Sequence, residues 1–275
     1  MYKTSMSYSR LAIVAAAVFL SGLTLQNQSA WGQEAQAPDE ADSLFVCRFI
    51  KVAPENVAQW RQKVGEKNAK FGDGDEASRW GTWRIITGER TNQYARGFST
   101  TSELYSNPKH AIQGMAASRD LPEAAYWLEN VTPLQEWSGN RQVWKIIPGL
   151  KSQHLDGTKP AKFMQHRRWR MKPGMYQRLE ANYAKLIEVY DRMDLPFDFV
   201  VARLSDGGDF MIYAETYAFD RLSDLPTMKQ ISGQFDQVHG EGSWEKFLKE
   251  HNQVMQENAV VEGETWAYEE SLSNL

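Results

Sequence analysis

A repeated pattern within the chain limits the folds that it can adopt more than any other feature of the sequence. The stretch CRFIKVAPENVAQW, which starts at residue 47, aligns with HRRWRMKPGMYQRL, which starts at residue 166. The identical pairs all lie 119 positions apart and need no gap: Arg48 with Arg167, Pro54 with Pro173, Arg84 with Arg203, and Gly88 with Gly207. This constant offset indicates an internal duplication, so we expect each half to form the same supersecondary unit.

Each copy shows the same order of strand and helix signals. β-Forming residues predict a first strand, a proline then opens a helix, and two strands follow around a turn that contains Gly, Asp or Asn. A less regular helical stretch and a last strand complete each copy. The predicted strands are 44–52, 80–87, 93–100 and 141–147 in the first copy, and 162–171, 198–204, 209–217 and 264–270 in the second.

The clearest helix signal lies in the second copy, at 174–193. Apolar and aromatic residues recur there at the spacing of one helix face. They are Met175, Leu179, Tyr183, Leu186, Ile187 and Tyr190. Further helix signals lie at 122–130 and 243–257.

The order β-α-β-β-α-β in each half predicts an α+β chain of two tandem ferredoxin-like modules. The sheet of such a module has helices on one face only, so its other face must be covered. Two copies in one chain can cover each other, and we therefore expect the two sheets to close a barrel-like core.

The N-terminal segment has the pattern of a secretory signal. Basic Lys3 and Arg10 precede an apolar run of 15 residues, LAIVAAAVFLSGLTL, and a polar stretch follows. The run is shorter than the roughly 20 residues that a membrane-spanning helix needs. We expect an exported protein, periplasmic or extracellular, with no stable membrane insertion after removal of the signal. The predicted segments are a signal peptide (1–32), a flexible acidic leader (33–43), a first module (44–150), a linker (151–161) and a second module (162–275).

Charge and motif content exclude several classes of function. The net charge of −4 and the pI of about 5.8 argue against a nucleic-acid partner, although HRRWR is locally basic. The single cysteine, Cys47, rules out an intrachain disulfide, and we interpret it as a small buried residue of the first strand. The chain has no G-x-S-x-G motif and no glycine-rich phosphate loop, which disfavours hydrolases and nucleotide-dependent enzymes.

The second copy resembles a known superfamily. Arg167, Trp169 and the run Lys172-Pro173-Gly174, followed by a long amphipathic helix, are similar to NIPSNAP-like domains of the dimeric α/β-barrel superfamily. The first copy departs from that motif, since Ile50, Ala53 and Glu55 stand at three of its positions. The superfamily includes cofactor-free monooxygenases, haem-degrading enzymes, haem-dependent chlorite and peroxide enzymes, and proteins of no assigned activity. The resemblance therefore implies the fold and leaves the reaction open.

The repeated arginines are the first candidate site residues. A guanidinium in an apolar strand requires an acidic partner or an anionic ligand, so Glu215 is a candidate partner for Arg203 or Arg167. The set forms either a ladder of cross-strand salt bridges or an anchor for a ligand carboxylate. Trp169 adds a candidate wall of an apolar pocket. The candidate ligand-binding residues are Arg48, Arg84, Arg167, Trp169, Arg203 and Glu215.

Two histidines are candidate haem ligands. His166 lies in the basic strand, and His251 lies on a helix with Trp244 and Phe247. The five histidines form no H-x-x-x-H or H-E-x-x-H pattern, and no metal site is predicted.

These features predict a protein that binds a small apolar or aromatic ligand in or near the barrel, without a required cofactor. One alternative is a cofactor-free or haem-dependent monooxygenase-type oxidoreductase. A second alternative is a structural or assembly protein that self-associates through its sheet faces.

Overall fold

The computed structural model describes residues 43–71, 80–102, 105, 122–155, 159–256 and 259–275. The first half contains β1 (Ser43–Val52), α1 (Val57–Phe71), β2 (Gly81–Thr87), β3 (Tyr94–Thr101), α2 (Pro122–Tyr126), β4 (Gln135–Ser138) and β5 (Gln142–Ser152). The second half contains β6 (Phe163–Arg170), α3 (Tyr176–Tyr190), β7 (Phe197–Asp206), β8 (Ile212–Phe219), α4 (Met228–His239), α5 (Ser243–Gln256) and β9 (Ala259–Tyr268). The predicted signal peptide and all but the last residue of the predicted leader lie outside the described residues, so export stays a prediction.

Eight strands close into an antiparallel barrel. Their order is β1-β3-β2-β9-β6-β8-β7-β5, and β5 pairs with β1 again. Short β4 also pairs with β1, next to the stretch that β5 covers. Closure removes the free sheet edges that would otherwise expose unpaired backbone groups. The α+β class and the barrel predicted from the sequence are confirmed.

Both halves have the strand order of a ferredoxin-like sheet. In each, the last strand of the half lies beside its first, which is followed by its third and second: β5-β1-β3-β2 and β9-β6-β8-β7. The halves join edge to edge at two seams, β2–β9 and β5–β7. Helices α1 and α3 begin and end 119 positions apart, as the repeat in the sequence requires. The duplication itself stays a prediction.

A repeated glycine is required at each seam. Gly88 and Gly207 have φ angles of +94° and +82°, which residues with a Cβ rarely adopt. A Cβ on Gly88 would collide with the carbonyl oxygen of Gly263 in β9. A Cβ on Gly207 would collide with the carbonyl oxygen of Arg141, which precedes β5. The repeat therefore preserves glycine where the turn of one half closes on the backbone of the other.

The inward faces of the strands fill the barrel. The buried residues there include Phe49, Trp83, Val200, Ala202 and Trp266. Tryptophan rings from both halves meet in this core, since Trp83 and Trp266 lie 6.5 Å apart between ring centroids. Helices α3, α4 and α5 pack on the outer face of the second half, where a separate apolar core forms.

A buried group of charges spans the β2–β9 seam inside the barrel. Arg168 Nη1 lies 2.6 Å from Glu262 Oε2, and Arg90 Nε lies 2.8 Å from Glu264 Oε1. Arg90 Nη2 also contacts Glu262 Oε2 at 2.5 Å. Two cations and two carboxylates balance, which offsets part of the cost of burying them. The group links the β2–β3 turn of the first half to β6 and β9 of the second.

Several element boundaries in the structure differ from the predicted ones. β5 extends to Ser152, because Lys151 and Ser152 pair with β7 beyond a register shift that absorbs Pro148 and Gly149. β5 thus includes the first two residues of the segment predicted as a linker, 151–161, and the division into modules and linker stays a prediction. β9 begins at Ala259 instead of 264, and α4 forms within the less regular helical stretch predicted for the second copy. Within the described residues, no helix is both long and apolar enough to cross a membrane.

Substitution of Trp266 tests whether the two halves share one core inside the barrel. It is 1% exposed and packs against Phe49 and Trp83. Trp266→Ala should lower the free energy of unfolding by about 3–5 kcal/mol, because it removes a large side chain from a closed core. Trp137→Ala is the matched control: Trp137 is 50% exposed, and its loss should cost no more than about 0.5 kcal/mol. Guanidinium denaturation followed by circular dichroism measures both, and equal losses would contradict this placement.

Candidate ligand-binding site

A cavity of about 390 Å³ lies between the outer face of the second-half sheet and the helices that cover it. β6 and β8 form its floor, α3 and α5 form two of its walls, and the segment that leads into α4 forms its rim. The lining residues are Gln165, Arg167, Trp169, Leu186, Tyr190, Glu215, Tyr217, Leu225, Pro226, Met228, Ile231, Trp244, Phe247, Leu248, His251, Asn252 and Met255.

Strand geometry decides which residues of the basic stretch reach this cavity. Alternate residues of a strand face opposite sides of the sheet. Gln165, Arg167 and Trp169 face outward and line the cavity. His166 and Arg168 face inward and are buried in the barrel. The division of the stretch into two faces follows from the sequence and agrees with the structure.

An ion pair lies on the floor of the cavity. Arg167 and Glu215 are directly opposite each other in the register of β6 and β8, and Arg167 Nε lies 2.7 Å from Glu215 Oε1. The Tyr183 hydroxyl donates a hydrogen bond of 2.7 Å to Glu215 Oε2. Burial raises the pKa of Glu215, while the charge of Arg167 and the hydrogen bond from Tyr183 act in the opposite direction. Glu215 is 5% exposed, whereas the Arg167 side chain is about half exposed.

Two tyrosines extend the polar edge of the floor. The hydroxyls of Tyr190 and Tyr217 lie 3.0 Å apart and share a hydrogen bond. Burial is the largest cause that raises the pKa of both phenols, and the nearby Glu215 carboxylate adds to it. Both groups are therefore neutral hydroxyls near neutral pH.

His251 reaches the cavity from α5. Its ring stacks on Phe247 at 5.4 Å and meets Tyr183 edge-on at 6.0 Å between centroids. Burial, with a contribution from Arg167, lowers the pKa of His251. The imidazole is therefore neutral near neutral pH, which is the form that accepts a hydrogen bond or binds a metal.

The other predicted arginines lie outside the cavity lining. Arg84 is about half exposed, and its Nε is 3.5 Å from Glu269 Oε1. Arg203 is exposed on β7 opposite Tyr213. Arg48 lies on β1 in the first half, where burial and then the charge of Arg141 lower its pKa. The repeated arginines thus occupy equivalent strand positions in surroundings that differ.

His166, the other predicted haem ligand, is enclosed in the barrel. Its Nδ1 lies 2.8 Å from the Thr216 hydroxyl, and its ring centroid lies 3.9 Å from that of Trp266. Burial, and then the charge of Arg168, lowers the pKa of His166 to about 3. This side chain does not line the cavity, so we place no ligand on it.

The first half carries different residues at the equivalent positions. Arg96 stands where the second half has Glu215, and it lies opposite Arg48 in the register. Lys67 stands in place of Leu186 and pairs with Glu123 at 2.6 Å. Burial lowers the pKa of Arg96 to about 9. The cation–carboxylate pair on the cavity floor is therefore specific to the second half.

Sequence reasoning missed the hydroxyl groups of the site. Tyr183 and Tyr190 were predicted only as members of an apolar helix face, and Tyr217 was not singled out. The helical spacing of Tyr183 and Tyr190 and the strand position of Tyr217 indicate that these side chains are buried. Nothing in a single sequence shows that the hydroxyl of such a tyrosine lies near Glu215. The sequence did indicate one wall of the cavity, because it predicted the helix that carries Trp244, Phe247 and His251.

Removal of Arg167 tests the ion pair. Arg167→Met leaves the buried Glu215 carboxylate without its counter-charge, which should lower the free energy of unfolding by about 1–3 kcal/mol near neutral pH. The pKa of Glu215, already raised in the folded state, should rise further. The loss should therefore be smallest at acidic pH, where the carboxyl is protonated, and grow as pH rises through its pKa.

Arg84→Met is the matched control for this variant. Arg84 has the same side-chain exposure, 49%, and its partner Glu269 keeps a contact of 2.8 Å with Arg61. Denaturation curves at several pH values should show a nearly constant, small loss for this control. A loss for Arg167→Met that does not change with pH, or that persists in the Glu215→Gln background, would contradict the pairing.

Comparisons with known proteins support the fold. No family model and no curated protein sequence matches the chain. A protein of Fusobacterium nucleatum described as a "putative monooxygenase" matches with a TM-score of 0.51 and 9% identity, over 83% of this chain and 93% of that one. A variant of the chlorite dismutase of Candidatus Nitrospira defluvii, solved with cyanide, matches with a TM-score of 0.50 and 6% identity, over 86% and 93%. The chain has the dimeric α/β-barrel fold of these proteins, whereas the likeness to NIPSNAP-like domains stays a prediction.

Proposed function

We propose that the protein binds a small aromatic or apolar molecule in the cavity between the second-half sheet and α3–α5. The observation that carries this proposal is the cavity itself, at about 390 Å³ with walls that include Trp169, Trp244 and Phe247. Ligand sites in proteins fall in the range of about 300–1,000 Å³ and combine apolar walls with a few polar groups. This cavity is at the small end of that range, which suits a ligand of one to three rings.

The polar groups distinguish this cavity from a packing defect. Empty cavities in protein cores are apolar. Here Arg167, Glu215, Tyr217 and His251 line the same space as apolar residues such as Leu186 and Phe247. This arrangement of few polar groups within apolar walls is typical of a binding site that orients its ligand.

A haem-dependent oxidoreductase is the second candidate, because His251 is a neutral imidazole on the cavity wall. Haem would supply redox chemistry at its iron, and His251 would be the residue that holds it. The rest of the lining fits haem poorly. Two propionates would meet one cation, Arg167, which Glu215 already neutralises. The described residues therefore suit a smaller ligand better, and a cofactor-free oxidation of that ligand stays open.

A variant that fills the cavity tests the proposal. Leu248 lines the cavity and is partly exposed, so Leu248→Trp should place a ring in the ligand space without disrupting the fold. Binding of 2-naphthol, measured by calorimetry on the full mature chain, should weaken about tenfold or more. Leu222→Trp is the matched control, because Leu222 is 74% exposed and does not line the cavity. Equal affinities in both variants and the parent protein would show that naphthol binds elsewhere.

A haem titration separates the two candidates. A Soret band that saturates at one haem per chain, and that His251→Ala abolishes, would favour the haem-dependent enzyme. Under the proposal, no such stoichiometric band forms, while naphthol binding persists in His251→Ala.

A further inference from the structure

Three residues that line the cavity each have a buried polar atom with no hydrogen-bond partner among the described residues. These atoms are Glu215 Oε1, Trp169 Nε1 and His251 Nδ1. More than about nine in ten buried polar groups in proteins are hydrogen-bonded, since an unpaired one is costly. Glu215 and Trp169 are 5% and 9% exposed, so bulk water does not readily satisfy them. Because all three residues line one cavity, a molecule bound there is placed to supply the partners.

Glu215 requires a hydrogen-bond donor. Its Oε2 already accepts a hydrogen bond from Tyr183. Arg167 Nε lies 2.7 Å from Oε1, but its N–H is not aligned for a hydrogen bond, so this contact supplies charge and leaves the acceptor free. A carboxylate can only accept, and the group that complements Oε1 is therefore an O–H or N–H.

The same pair disfavours an anionic ligand. A carboxylate on the ligand would gain from Arg167 but would be repelled by Glu215 at nearly the same distance. Because the pair is close to neutral overall, a neutral donor such as a hydroxyl avoids this repulsion. This argues against the ligand-carboxylate anchor that the repeated arginines suggested.

Trp169 requires the opposite kind of group. Its indole N–H is a donor only, so the ligand must present an acceptor to it. On β6, Trp169 lies two residues from Arg167, on the same face, and Arg167 is opposite Glu215. The group that needs a donor and the group that needs an acceptor are thus neighbours on the floor of the cavity, and the aromatic residues Phe247 and Trp244 also line it.

We propose that the pocket selects a neutral hydroxylated aromatic molecule, whose hydroxyl donates to Glu215 and whose oxygen acceptor meets Trp169. This inference rests on the proposed function and adds to it the chemical class of the ligand. Glu215 is the specificity-determining residue, and Arg167 and Tyr183 hold it in place. Glu215 and Trp169 thus select the ligand by its hydrogen-bond donor and acceptor rather than by its charge.

Three probes of similar size test the proposal: 2-naphthol, 2-methoxynaphthalene and 2-naphthoate. Calorimetry on the full mature chain near neutral pH should show naphthol binding about ten- to hundredfold tighter than methoxynaphthalene, as expected for one hydrogen bond to a charged acceptor. Naphthoate should bind more weakly than naphthol. In Glu215→Gln, the preference for naphthol over methoxynaphthalene should fall, and naphthoate should bind tighter than it does to the parent protein, because Arg167 loses its counter-charge.

Glu180→Gln is the matched control. Glu180 accepts a hydrogen bond from the Tyr213 hydroxyl and does not line the cavity, so this variant should keep the probe ranking of the parent. Equal binding of naphthol and methoxynaphthalene to the parent protein would overturn the inference, as would naphthoate binding tightest. Both outcomes leave the aromatic pocket in place, whereas failure of all three probes and of naphthalene itself would overturn the proposed function. The comparison in the parent protein does not depend on any variant folding.

Discussion

Edge-to-edge pairing of the two four-stranded sheets determines where a ligand can bind. Because β2 pairs with β9 and β5 pairs with β7, the inward face of every barrel strand turns toward a shared core. Large side chains such as Trp83 and Trp266 fill that core from both halves. Space for a ligand therefore remains on the outward face of the sheet, between the strands and the helices that cover them. The cavity lies there, under α3–α5.

The two halves share this architecture but differ in the charges that they bury on it. In the second half, Arg167 faces Glu215, and the pair is close to neutral. In the first half, Arg48 faces Arg96 at the equivalent positions, and the burial of Arg96 lowers its pKa to about 9. The described residues at equivalent positions of the two halves thus carry different charges on a common frame.

Much of the strand and helix order could be predicted from the sequence. The constant offset between the copies and the spacing of apolar residues within each element can both be read directly from the residues. The offset of 119 positions carries α1 onto α3, and alternation in β6 separates Arg167 from His166. The site could be predicted only in part. Arg84 and Arg203 repeat as faithfully as Arg167, yet neither lines the cavity, because the position of the covering helices decides which outward residues border it. The hydroxyl of Tyr183 meets Glu215 through packing between elements that are distant in sequence, which no period in the sequence encodes.

The central claim is that the second-half cavity binds a neutral hydroxylated aromatic molecule through Glu215. A crystal structure of the protein with 2-naphthol tests it most directly. We expect the ring between the sheet floor and Phe247, with the naphthol oxygen within hydrogen-bond distance of Glu215 Oε1. A ring bound elsewhere, or one in the cavity whose hydroxyl points away from Glu215, would contradict it.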